Sequence, residues 1–262
     1  MKFTVLTIFP EMFSPFWEHG IIRRAISNKL IDATAISIRA FAKGKHRVTD
    51  DRPYGGGCGM VMKPEPLGKA IRAAEETAPG SKKILLSPQG RLFDQKLASE
   101  LLNFKGLILV CGRYEGFDER ICQKYIDFEL SIGDFILTGG ELAAMVVIDA
   151  LTRLIPGTLG NEDSAEQDSF SGDLLKYAHY TRPASFEGEG VPEVLRTGDH
   201  SAIEKWRLES SLIRTFLKRK DLMENRSFSK AEIEILKQWC RGIESIIRAQ
   251  SLCGADPLSG DQ

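Results

Sequence analysis

Paired cysteines are missing from this sequence. The five it has, at positions 58, 111, 122, 240 and 253, are odd in number and scattered, with no C-x-x-C spacing. That excludes the usual zinc and iron–sulfur ligand patterns and makes a disulfide framework unexpected. Long apolar runs are missing too: none reaches the roughly 18 residues that a membrane-spanning helix needs. The opening MKFTVLTIFPEMF lacks the small-residue cleavage site of a signal peptide and reads as a first strand running into a helix. A cytoplasmic protein without membrane attachment is expected. No G-x-G-x-x-G follows a strand candidate and no G-x-x-x-x-G-K-[ST] occurs, so a nicotinamide-dependent oxidoreductase and a P-loop enzyme both lose their main signal. Excess charge of one sign is also lacking, since the net charge is −1. The charges are nonetheless uneven: residues 161–175 hold acids and no base, between two mildly basic blocks. Such a distribution suits a transient polyanion contact and suits an ordinary solvated surface equally.

What is present alternates. KFTVLTIF (2–9), AISIRA (35–40), KKILLS (82–87), GLILVCG (106–112) and FELSI (128–132) read as strands. Several are continuous apolar runs, as expected of strands covered on both faces. Helical patterns lie between and after them at 66–78, 95–103, 116–125 and 140–157, the last stopping at Pro156-Gly157. This alternation predicts an α/β domain over residues 1–160. The acidic, aperiodic stretch 161–175 reads as a flexible linker. Beyond it the pattern is purely helical, at 200–220 and at 229–249, where Ser229 and Glu232 spell an S-x-x-E capping box. A small all-α domain is expected over 176–250, with a disordered tail at 251–262.

Glycines mark the places where chemistry could sit. LLSPQGR (85–91), VCGRYEG (110–116) and SIGDFILTGGEL (131–142) each end a strand candidate in a turn-rich loop. In an open α/β sheet, ligands bind at the carboxyl ends of strands. Glycine there lets main-chain N–H and C=O groups approach a flat heterocycle such as an adenosine. A tight turn would explain any one loop; three at once favour a binding role. HRVTDDRPYGGGCGMVM (46–62) reads as an ordinary flexible loop more readily than as a basic loop closing on phosphates. The acids Glu162, Asp163, Glu166, Asp168 and Asp173 are interchangeable by composition, and Arg153 suits a helix C-terminus.

DDRPYGGG, LSPQGR, LILVCGRYEGFDERI, SIGDFILTGGELAAM, IPGTLGNEDSAEQDSF and HYTRP follow one another in order. Together, across about residues 3–217, they resemble the bacterial tRNA (guanine-N1-)-methyltransferases of the SPOUT superfamily. The resemblance implies a trefoil-knotted parallel-sheet domain that binds S-adenosyl-L-methionine, followed by a helical domain that helps hold tRNA. Strand periodicity would not reveal a knot, since true knots are almost absent from proteins. Matched by motif, the cofactor contacts are Gly112, Ile132, Gly133, Asp134, Phe135, Ile136 and Leu137, with Leu86, Gly139 and Gly140 as neighbours. The implied reaction is methyl transfer to N1 of guanosine 37, 3′ of the anticodon. The resemblance makes Asp168 the general base and Arg153 the supporting cation, with Glu115 a further candidate, and it implies a homodimer. It leaves room for an assisting magnesium ion, for which the sequence offers no ligand cluster. Phe135, Ala143 and Cys58 depart from the residues common in the family. An RNA-binding module without catalysis is the competing reading.

Overall fold

The computed structural model describes residues 1–160, 168–170, 174–224 and 226–253. The chain divides into two compact units, Met1–Ala165 and Glu166–Gln262, so the division falls within the acidic stretch. The first unit opens with β1 (Lys2–Thr7), α1 (Ser14–Glu18), α2 (Gly20–Ser27) and β2 (Asp32–Ser37). A short antiparallel ribbon of β3 (Asp50–Asp51) and β4 (Val61–Met62) follows, then α3 (Pro64–Thr77) and β5 (Lys82–Leu92). The unit closes with α4 (Gln95–Leu101), β6 (Gly106–Cys111), α5 (Glu119–Tyr125), β7 (Phe128–Ser131) and α6 (Glu141–Leu154).

β1, β2, β5, β6 and β7 form one parallel sheet in the order β2-β1-β6-β5-β7. Their apolar runs are explained by cover on both faces. Alternate residues of each central strand enter opposite cores. Phe3, Val5, Ile84, Leu86, Leu107 and Leu109 pack with α4 and α6 residues such as Leu97, Ala144 and Val147. Leu6, Leu85, Ile108 and Val110 pack with α3 and α5 residues such as Leu67, Ile71 and Ile121. Full burial of Val147, Ile148 and Leu151, worth roughly 1.5–3 kcal/mol each, fixes α6 on the sheet.

β5 differs from the expected strand, which ended at Ser87. Leu86 and Arg91 both stand opposite Leu130 of β7, so residues 87–90 leave the ladder before the strand resumes to Leu92. Pro88 has no N–H to give a ladder, which breaks it there. Gly90 permits the return, because a side chain there would begin 2.2 Å from the Leu130 nitrogen.

The second unit contains α7 (His200–Lys218), α8 (Asp221–Glu224) and α9 (Lys230–Cys253). The capping box closes as expected: Ser229 N–H donates to Glu232 Oε2 at 2.7 Å, and Glu232 N–H donates to Ser229 Oγ at 3.3 Å. The unit is not purely helical, however. Ser185–Phe186 and Glu189–Gly190 form an antiparallel hairpin, β8 and β9. Its turn takes both Glu187 and Gly188 to positive φ, and a helical-period reading passes over so short a ribbon. Residues 174–178 are pinned to α7, with Leu175 N–H donating to Thr215 Oγ1 and Ala178 N–H to Ser210 Oγ. Of the expected linker and tail, 161–167, 171–173 and 254–262 lie outside the described residues, and α9 reaches Cys253.

Candidate active site

The three glycine-bearing loops meet at the interruption of β5 and at the carboxyl ends of β6 and β7. They enclose a cavity of about 360 Å³. Leu86, Gly112, Ile132, Gly133, Phe135, Ile136, Leu137, Gly139 and Gly140 all line it, whereas Asp134 is exposed and outside its lining. Glu115 lines it as well. Its loop is laced to the glycine-rich segment upstream: Glu115 N–H donates to the Met60 carbonyl, Met62 N–H donates to that of Gly116, and the Glu115 side chain fills the space over Gly59.

The glycines of 131–142 have local causes. Gly133 has φ +148, and the Phe135 ring lies where its side chain would begin. Gly140 presses on β6: an added Cβ would sit 2.8 Å from Cys111 Cα, and its N–H donates to the Gly112 carbonyl at 2.9 Å. At Gly139 the space is taken by Arg113 and the Glu141 carboxylate. Protein thus fills what glycine leaves, and the result is a wall made largely of main chain.

Four charged side chains line the cavity: Arg113, Glu115, Glu119 and Glu129. Beneath it lies Glu141, the first residue of α6, with its side chain only 1% exposed. It accepts from Thr7 Oγ1 at 2.6 Å and from Arg113 Nε at 3.0 Å. A carboxylate at a helix N-terminus is favoured by the helix dipole. Cys111 stays a thiol in this setting, since burial and then the Glu141 carboxylate push its pKa well above the ordinary value, with Arg113 opposing. Glu141, Thr7 and the role of Arg113 escaped the sequence reading. The available signal was an acid opening a helix whose next seven residues are apolar.

The two expected catalytic residues belong to different units. Arg153 is on the last turn of α6, spaced by helical repeats from exposed Leu142 and Val146. Asp168 belongs to the second unit, where Lys176 Nζ lies 3.2 Å from its carboxylate and Lys176 N–H donates to Ser169 Oγ. Among the described residues, no group of three or more His, Cys, Asp or Glu side chains is placed to hold a metal ion. No helix among them is long and apolar enough to cross a membrane.

A parallel sheet with loops gathered into a cavity at its strand ends defines an α/β protein with its candidate site in the position typical of that class. Comparison with known proteins narrows the class. The family model described as tRNA (Guanine-1)-methyltransferase TrmD matches residues 1–225, and the chain belongs to that family. A tRNA (guanine-N(1)-)-methyltransferase of Desulfatibacillum aliphaticivorans is 59% identical over 259 residues, covering 99% of both chains. One from Syntrophotalea carbinolica is 51% identical over 94% of this chain and 99% of its own. One from Dehalococcoides mccartyi is 52% identical over 91% and 96%.

Proposed function

We propose that this protein transfers the methyl group of S-adenosyl-L-methionine to N1 of guanosine 37 in tRNA, with Asp168 as general base and Arg153 as supporting cation. Family membership carries the coarser part, methylation of a tRNA guanine at N1. The observation that best supports the donor site is the meeting of three glycine-bearing loops around one cavity. Its residues fit the donor. Leu86, Leu137 and Ala143 offer apolar surface to a flat base, and glycine main chain offers hydrogen-bonding groups beside it. Three carboxylates against one guanidinium give a charge balance that suits a cationic ligand. Bound there, the donor supplies a methyl group on a positively charged sulfur. The knotted path expected of this domain is part of the same proposal.

Neutral guanine carries a proton on N1 and has no free lone pair there to attack a methyl group. A carboxylate must take that proton, which is the part assigned to Asp168. Negative charge then moves toward O6, where a fixed cation, Arg153, lowers its energy. The guanine must leave its stack to present the N1 edge. Lys and Arg contacts to phosphates position the anticodon stem-loop and make binding salt-dependent. Asp168 belongs to the second unit and the cavity to the first, and in this reading deprotonation waits until substrate engages both. No step is assigned to magnesium.

A homodimer completes the proposal. Leu142 and Val146 are 50% and 47% exposed on the outer face of α6, and Ile136 beside the cavity is 81% exposed. A second copy packed on that face would cover them and bring Arg153 toward the partner's site.

Transfer of tritiated methyl groups to transcripts bearing guanosine or adenosine at position 37 tests the function. Only the guanosine transcript should be labelled. Asp168→Asn should lower the rate about 10²–10⁴-fold while S-adenosylhomocysteine still binds. Full activity of that variant would remove the general-base role, and equal labelling of both transcripts would remove the position.

A further inference from the structure

We infer that Glu141 is a positioning residue for the donor site, acting through Arg113 on the main chain of residues 138–140, with Thr7 fixing its direction. The inference rests on the reading of the cavity as the donor site. Three elements converge on this one buried carboxylate. Thr7 ends β1; its hydroxyl accepts the Phe9 N–H at 2.9 Å and so is turned to donate to Glu141 Oε1 at 2.6 Å. Arg113 follows β6 and gives its Nε–H to Glu141 Oε2 at 3.0 Å and its Nη1 to the Thr138 carbonyl at 3.1 Å. The Cζ of that guanidinium lies over the Phe9 ring, 4.8 Å from its centroid. Arg113, Thr138, Gly139 and Gly140 line the cavity, whereas Glu141 and Thr7 do not. The effect of Glu141 on a ligand must therefore pass through them.

An apolar side chain at the head of α6 would be buried at lower cost than an ion pair. What it could not do is fix the bearing of a guanidinium. With Nε held by Glu141, Arg113 lies directly on the 138–140 turn, and the turn accommodates it only because residue 139 has no side chain: a Cβ there would sit 2.2 Å from Nε. The clamp thus sets where one wall of main chain stands. Misplacement of a binding wall by a fraction of an ångström lowers affinity for a rigid ligand without unfolding the protein. Lysine at 113 keeps the charge and loses the fork.

The test is calorimetric titration of the full chain with S-adenosylhomocysteine, paired with steady-state kinetics and thermal melts. Arg113→Lys should raise the dissociation constant about tenfold and raise the KM for the methyl donor in step, leaving the KM for tRNA within about twofold. Thr7→Val, of the same shape, should move the same quantities in the same direction by less. Glu141→Gln, which keeps an acceptor for Arg113, should bind more tightly than Glu141→Leu if both fold. Wild-type affinity in Arg113→Lys and Thr7→Val, with only melting temperature reduced, would show a merely structural pair and overturn the inference. Failure of the wild-type protein itself to bind S-adenosylhomocysteine would instead remove the donor-site reading, and the inference with it.

Discussion

At position 90 one absent side chain decides whether β5 can rejoin β7. A Cβ there would lie 2.2 Å from the Leu130 nitrogen and 2.4 Å from the Glu129 carbonyl carbon, both backbone atoms that cannot rotate away. Gly56 is a contrast: its φ is +80, yet nothing lies within 4 Å of an added Cβ. Gly90→Ala should cost about 3 kcal/mol through overpacking, Gly56→Ala only about 1 kcal/mol through strain. Gly90→Ala should also weaken S-adenosylhomocysteine binding, because residues 87–89 line the cavity. Urea unfolding and calorimetry on the two variants check this, and equal costs would refute it. The same comparison shows how far single residues were legible. Glycines at 133, 139 and 140 correctly marked a special piece of backbone, but an empty Cβ position does not say what fills it. Here Phe135, Arg113 and Cys111 do. Glu141 was illegible for a related reason: acids commonly open helices in solvent, and only packing makes this one a buried hub.

The first turn of α9 is held by Glu232. Burial pushes the Glu232 carboxyl up. The Ser229 N–H, the Arg226 guanidinium and the Ser229 hydroxyl together outweigh that, so its pKa lies below the ordinary 4.5. A carboxyl with a lowered folded pKa contributes stability that is fully present above its unfolded value and is lost as pH falls through the folded one. The melting temperature of the wild type should therefore exceed that of Glu232→Gln at pH 6, and the gap should narrow as the pH falls below 4.5. A gap independent of pH would mean that the cap acts without its charge. This cap was readable from S-x-x-E because its partners are three residues apart. Most of the sheet strands and six of the helices were readable likewise, through local periodicity, although β2 runs over Asp32–Ser37 rather than 35–40 and α2 was passed over. β5 was not, because its pairing resumes only after Pro88 and Gly90 have interrupted every local signal. The β8–β9 hairpin was not either, because strands of two residues have no period to detect.

Among the described residues of the first unit, α6 is covered on one side, by the sheet. Val147, Ile148 and Leu151 are fully buried against the sheet, while Leu142 and Val146 stand half exposed on the outer face with Arg153 in the same helical row. Phe135 and Ile136, 53% and 81% exposed, add apolar surface at the cavity, whose lining also includes Ala143 of α6. A stable interface needs roughly 800 Å² from each partner, and an apolar helix face beside a binding cavity is a natural contribution to it. If two copies meet there about a twofold axis, each face meets its own counterpart, so one substitution is felt twice. Leu142→Glu with Val146→Glu would then set like charges against each other in a desolvated contact. Light scattering behind a sizing column should find the wild type as a dimer and this variant as a monomer. The variant should retain its circular dichroism, because neither residue belongs to the folded core. It should also lose methyl transfer to tRNA, since Arg153 would no longer meet a partner's site. A monomeric variant with full activity would confine the whole reaction to one chain, and a wild type that runs as a monomer would leave the outer face of α6 without the partner proposed for it.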